Sequence, residues 1–251
     1  MASEAQIKDQ VTPNLALSDE HGHSDAVSIR VAVCSTARRW DGIFDVDAGG
    51  DPSRITIGET DVLYFQAPHS IEESKSRTTF RNIADQIREQ GIDCVLVLCS
   101  GPRAETTSDL LVVEDHINWT GDNPLIGMRS ADCGERFVDM VGAYDPMLRN
   151  ALQVAAHEAD LPVQTGIAVE QRGELSNVEA IRSKPRTQVK GLVPLVIAAR
   201  QAGARVGAVA MRMEESDELD GTSSEIQGLE MEGLRRFTER AVSSLAALSG
   251  V

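Results

Sequence analysis

The chain has 251 residues, 41% of them hydrophobic and 25% charged, which suits one globular α/β domain and not a disordered or fibrous chain. Its formal charge of −15 repels phosphate backbones and anionic headgroups, so neither nucleic acid nor a membrane is expected as a partner, and a small anionic substrate needs a local basic pocket. No apolar run is long enough to span a membrane, MASEAQIKDQ lacks a signal-peptide pattern, and Cys34, Cys94, Cys99 and Cys133 show no CxxC spacing; the expectation is a cytoplasmic protein with reduced, packing cysteines.

Residues 1–27 are polar, acidic and aperiodic, and read as a mobile leader before a single domain over 28–251. His21 and His23 lie there beside Asp19, Glu20 and Asp25; a solvated tail accounts for them better than a metal site. SIRVAVC, a β-rich run, is the first expected strand, and VLYFQ (62–66) the second. Phe80, Ile83, Ala84 and Ile87 then share one helical face, closed by Gly91. CVLVLC (94–99) is continuously apolar, as a parallel strand covered on both faces is. LLVVEDH (110–116) is a further strand, and Asp145-Pro146 supplies an N-cap and an N1 proline to a helix using Leu148, Ala151, Leu152 and Ala155. GIAVE (166–170), a short helix from Val193 to Gln201 ending at Gly203, the strand ARVGAVAM (204–211) and a last helix over 225–248 complete the order. Alternating strands and helices imply an α/β fold of three layers, with a mixed, mostly parallel central sheet flanked by helices.

Sheets of this kind bind ligands at the carboxyl ends of their strands. Cys34-Ser35-Thr36-Ala37-Arg38-Arg39 follows the first strand and offers hydroxyls, amides and two guanidinium groups to an anion. Its spacing is one short of a Cys-x5-Arg loop, since position 40 is Trp, and it holds no glycine; a solvated basic turn is the alternative. Ser100-Gly101-Pro102-Arg103 reads as another turn able to meet an anion, or as an exposed loop with one arginine. His69 stands alone after the second strand, where a packing or surface role is commoner than a catalytic one. Glu214, Glu215, Asp217, Glu218 and Asp220 have no calcium-loop spacing and read as a solvated acidic loop. No nucleophile, base and orienting group assemble.

The segment VVEDHINWTGDNPLIG (112–127) packs Asp115, His116 and Asn118 against an apolar run, then closes on Asn123-Pro124. Buried polar groups at this density form a hydrogen-bonded hub, because unpaired ones are costly. DHINWTGDNPLIG, followed by Arg136-Phe137 and Ala143 to Asp145, resembles the trimeric purine nucleoside phosphorylases, which have Asp-His-Ile-Asn, Asn-Pro-Leu-x-Gly, Arg-Phe and Ala-Tyr-Asp in this order. GIDCVLVL and VKGLVPLVIAARQAGARVGAVAM carry weaker echoes, so the similarity runs from about residue 91 to 211.

The resemblance implies a nucleoside-phosphorylase-like fold, a homotrimer, and cleavage of a purine nucleoside by phosphate to free base and ribose 1-phosphate, with no metal or other cofactor. Such a reaction passes through an oxocarbenium-like state stabilised by phosphate below the sugar and by hydrogen bonds to the departing base. Carried over by position, the family's Gly-Ser-Gly-Leu-Gly phosphate loop falls on Ser35 to Arg39, and its Arg-x-His-x-Tyr-Glu-Gly segment falls near Pro68-His69-Ser70. Its Asn-Ala-Ala-Gly turn falls on Cys99 to Pro102, and its Met-Ser pair on Lys190-Gly191. Its Gly-Pro-x-Phe-Glu-Thr motif falls on Arg172 to Asn177, with Glu174 nearest the base-gripping glutamate, and its base-binding asparagine falls at about Glu214. Phe137 survives; in the family it reaches across the trimer interface toward a neighbour's ribose. The phosphate-binding candidates are therefore Thr36, Arg38, Arg39, His69, Ser100, Arg103 and Lys190, and the nucleoside-binding candidates Phe137, Glu174 and Glu214. No catalytic residue is assigned. Most of the family's ligand-facing residues are replaced, and losing such donors costs each about 3–4 kcal/mol of barrier lowering. Two readings follow: phosphorolysis through a rebuilt anion site, or a non-catalytic member acting as a ligand-binding or partner subunit. The residues favour loss of ordinary phosphorolysis. An unrelated α/β hydrolase or phosphatase ranks last, for want of a nucleophile motif.

Overall fold

The computed structural model describes residues 29–36, 40, 43–44, 52–68, 76–102, 108–128, 137–172, 185–213 and 228–249. The leader expected over 1–27 lies outside them. Eight strands form one sheet: β1 (Val31–Ser35), β2 (Ser53–Ile57), β3 (Thr60–Gln66), β4 (Cys94–Pro102), β5 (Leu110–Trp119), β6 (Val163–Gln171), β7 (Arg186–Gln188) and β8 (Arg205–Met213), in the spatial order β2-β3-β1-β4-β8-β5-β6-β7. The block β3-β1-β4-β8 is parallel, and so is β5-β6-β7. The blocks meet at β8 and β5, which run antiparallel with Leu110 opposite Met211 and Val112 opposite Val209. The sheet is thus mixed and mostly parallel, as the alternation of elements implies.

Four helices cover the two faces among the described residues: α1 (Ser76–Glu89), α2 (Pro146–Glu158), α3 (Leu192–Gln201) and α4 (Gly228–Leu248). On one face Phe80, Ile83, Ala84 and Ile87 of α1 and Leu192, Leu195, Val196 and Ala199 of α3 pack on Ala32, Val95 and Val97. On the other, Leu148, Leu152, Ala155 and Ala156 of α2 and Phe237, Ala241, Val242 and Leu245 of α4 pack on Val31, Val33, Leu96 and Leu98. β4 is buried from both sides, which explains its unbroken apolar run. Each large apolar side chain buried this way stabilises the fold by about 1.5–3 kcal/mol.

The helix ends follow local chemistry. Gly91, at φ +64°, closes α1, with its amide donating to Arg88 O and that of Ile92 to Ile87 O. The Asp145 carboxylate accepts the Met147 and Leu148 amides and caps α2, with Pro146 in its first turn. Two strands escaped sequence reading. SRITI (β2) joins β3 through a two-residue hairpin with Gly58 at φ +60°, a positive-φ glycine at the first turn position that marks a type II′ connection. β7 has only three residues, too few for a periodic signal. β5 also continues beyond the expected LLVVEDH: Asp115 to Trp119 remain in register with β6 after a shift between Val113 and Asp115, so the polar hub begins inside a strand.

Candidate functional site

The end of β1 is tied down on three sides. The Thr36 amide donates to Leu98 O at 3.0 Å, and the Ala67 amide after β3 donates to Ser35 O at 2.8 Å. Trp40 is fully buried against Phe237, ring centroids 6.4 Å apart, and its indole N–H donates to Cys99 O at 2.8 Å. The stretch carrying Arg38 and Arg39 therefore departs from one anchored residue and returns to another, although the two arginines lie outside the described residues. Thr36 is buried at the strand end.

Ser100-Gly101-Pro102 is not a turn. It continues β4, paired with Met211, Arg212 and Met213 of β8. The β4 end also lies against β7: a Cβ on Gly101 would stand 2.0 Å from Gln188 O and 2.5 Å from Thr187 Oγ1. Parallel pairing on β8 keeps this backbone extended, and only a residue without a side chain lets β7 approach so closely.

Across the sheet, Glu170 near the end of β6 meets the start of α3. Its two carboxylate oxygens accept the Gly191 amide at 2.9 Å and the Val193 amide at 2.8 Å. Gly191, at φ 76°, is the N-cap and offers no side-chain bond of its own, so Glu170 supplies from another strand what Ser, Thr or Asp supplies locally elsewhere. The carboxyl is 3% exposed. Burial pushes it up to about 7, against the downward pull of the two amides. In the sequence Glu170 reads as the last residue of the strand GIAVE. An acidic residue ending an apolar run, ahead of a glycine-led helix with no polar cap, was the available signal.

The hub over 114–127 is bonded partly within itself and partly to Tyr144 and to arginines of α1 and the end of β6. His116 Nδ1 lies 3.0 Å from the buried Tyr144 hydroxyl, and burial lowers the His116 pKa while raising that of Tyr144. Asn118 receives the Thr120 amide and hydroxyl and donates to Asp122 O. Asp122 takes a two-pronged contact from Arg77 of α1 at 2.8 and 2.6 Å, with Arg172 at 3.6 Å. The Arg77 hydrogen bond holds its carboxyl below the usual range. Arg81 of α1 donates to Pro124 O at 2.7 Å and to Ile126 O. Burial pushes the thiols of Cys34 and Cys99 far up and that of Cys94 to about 11, which leaves them unreactive packing groups.

Of the remaining sequence candidates, Lys190 is exposed, one residue ahead of the α3 cap. Phe137 is 86% exposed, as is Val141. His69, Arg103, Glu174 and Glu214 lie outside the described residues, as do Arg38 and Arg39. Thr36 follows β1, and its amide bonds Leu98 O of β4, two residues before Ser100. Among the described residues no group of three or more His, Cys, Asp or Glu is placed to hold a metal ion, and no helix is long and apolar enough to cross a membrane.

The family profile of the Phosphorylase superfamily matches residues 104–249. Purine nucleoside phosphorylase 1 of Bacillus subtilis is 35% identical over 124 residues, covering 46% of this chain and 46% of its own length. The enzyme of the same name from Geobacillus stearothermophilus is 38% identical over 103 residues, 39% of this chain and 38% of its own. The match thus spans less than half the length of these relatives. In structure, isoform 2 of purine nucleoside phosphorylase from Schistosoma mansoni, solved with cytosine and ribose-1-phosphate, superposes with a TM-score of 0.66 at 19% identity over 86% of this chain and 90% of its own. That likeness shares the fold.

Proposed function

This chain belongs to the phosphorylase superfamily as a divergent member of its purine nucleoside phosphorylase family, and from that membership we propose that it keeps the family frame as a binding or partner subunit and does not carry out ordinary phosphorolysis. The observation that carries this reading is the β4 end. At the place where the resemblance puts the Asn-Ala-Ala-Gly turn, Ser100 to Pro102 run on as strand, with Gly101 pressed against Gln188 and Thr187. Backbone engaged in this way is not presented to a ligand as a turn's amides are.

The ligand class proposed is a purine nucleoside, with phosphate as co-substrate only if catalysis survives. The proposed assembly is a homotrimer, to which the exposed Phe137 and Val141 contribute, and the proposed compartment is the cytoplasm, consistent with the buried free thiols Cys34, Cys94 and Cys99. The deciding experiment incubates the full chain with inosine or guanosine and phosphate and follows free base. No release above background is expected, while nucleoside alone raises the melting temperature. Turnover lost in Arg38→Ala or Lys190→Ala would restore the enzymatic reading through a rebuilt anion site.

A further inference from the structure

A helix N-terminus with free amides attracts anions, and α3 presents one whose first residues are buried throughout, from Leu192 to Ala199. Its Gly191 cap has no side chain to turn back on the amides. The group that answers them comes from β6, tethered to the chain: Glu170, with one oxygen on Gly191 N–H and the other on Val193 N–H. We infer that Glu170 is the resident anion of α3, holding by covalent attachment the place that an external oxyanion would fill, and so closing this end of the sheet to phosphate. This deepens the reading of a member without ordinary phosphorolysis and rests on it.

The surroundings fit a single internal carboxylate. Asn118 of β5 stands opposite Glu170 in the strand register. The buried Cys99 and Tyr144 feel the glutamate's charge and are pushed further toward their neutral forms. His116, whose neutral form burial favours, lies on the Tyr144 hydroxyl. Lys190, exposed, stands next to the cap in sequence, and Arg172, two residues after Glu170, lies 3.6 Å from the Asp122 carboxylate. The two amides at the helix end are the groups that favour its charged form. A second, free anion entering here would meet that charge at contact distance and find both amides taken.

Removing the carboxylate should therefore turn a closed end into an anion-responsive one. The full-length wild type and Glu170→Ala are melted at pH 8, where Glu170 is ionised, in chloride and in inorganic phosphate of equal ionic strength. The wild type is expected to melt at the same temperature in both salts. Glu170→Ala should melt lower in chloride and regain about 2–4 °C in phosphate at roughly tenfold excess over its dissociation constant. If the alanine variant does not fold in chloride, its refolding yield in phosphate replaces the melting temperature, and Glu170→Gln, which keeps the side-chain shape without the charge, is carried through the same comparison. Variants indifferent to phosphate overturn the inference, and so does a wild type stabilised by phosphate as much as the variants are. The base-release assay separates the two readings. Phosphorolysis by the wild type would remove the functional reading whatever the variants do, whereas phosphate-indifferent variants would remove only the tethered anion.

Discussion

Burial holds the Glu170 carboxyl near 7, while an unfolded glutamate titrates near 4.5. The folded state therefore binds the proton more tightly than the unfolded one, and the stability linked to it is full below 4.5 and lost as pH rises through 7. The difference corresponds to about 3 kcal/mol. Urea unfolding at pH 5 and pH 8 should show the wild type losing stability by an amount of that order relative to Glu170→Gln, whose amide does not titrate. Equal pH slopes for the two proteins would show that the carboxyl titrates normally. A second residue acts in the opposite direction. Although burial works against it, the Arg205 hydrogen bond and the α2 amides hold the Asp145 carboxyl below its ordinary range. It joins a helix cap to a partly buried ion pair with Arg205 at 2.9 Å. Asp145→Ala should cost about 2 kcal/mol by denaturant titration, at the upper end for a lost cap because Arg205 is left behind. The Asp145 cap was legible from an Asp-Pro pair before an apolar helical face. Glu170 was not legible as a cap, because its partner amides lie about twenty residues downstream on another element.

At the level of elements, two contacts fix how the strands end. β7 meets β4 where Gly101 leaves no room for a methyl group, so Gly101→Ala must displace backbone and should destabilise by about 3 kcal/mol. Gly91→Ala tests a different property: open space surrounds that position, and its positive φ is the obstacle, so the expected loss is smaller, about 1 kcal/mol. Chemical denaturation of both variants ranks the two effects. The second contact is the clamp of α1 on the hub, through Arg77 on Asp122 and Arg81 on two carbonyls. Asp122→Ala should speed hydrogen exchange at the amides of Asn123 and Leu125, which now bond to Asp122 and Asn123 side chains, while α4 exchange is unchanged. Periodicity exposed the long helices and the buried strands. It was silent on β7 and on the run of β4 past Cys99, because three residues carry no period and Ser-Gly-Pro reads locally as a turn. Only the neighbouring β8 makes that stretch a strand.

For the whole molecule, the three-layer α/β architecture was readable from the order of elements, and family ancestry from the hub motif. The arrangement of the strand ends was not, since six of the ten candidate site residues, including Arg38 and Glu174, fall outside the described residues. Among the rest, Phe137 stands 86% exposed, as does Val141 four residues on. If the proposed trimer forms, light scattering gives three times the monomer mass, and Phe137→Asp lowers it. A monomeric wild type removes Phe137 from any shared site. The family profile begins at residue 104, between β4 and β5, yet the sheet does not divide there. β8, the last of the described strands, lies between β4 and β5, paired with one from Cys94 to Pro102 and with the other from Leu110 to Val112. Until β8 has been synthesised, β4 lacks its partner on that side, leaving an edge whose first six residues, Cys94 to Cys99, are apolar. An edge of this kind is a template for pairing with other chains, so the first half made alone is expected to aggregate more readily than the full chain, which centrifugation of the two expressed separately checks.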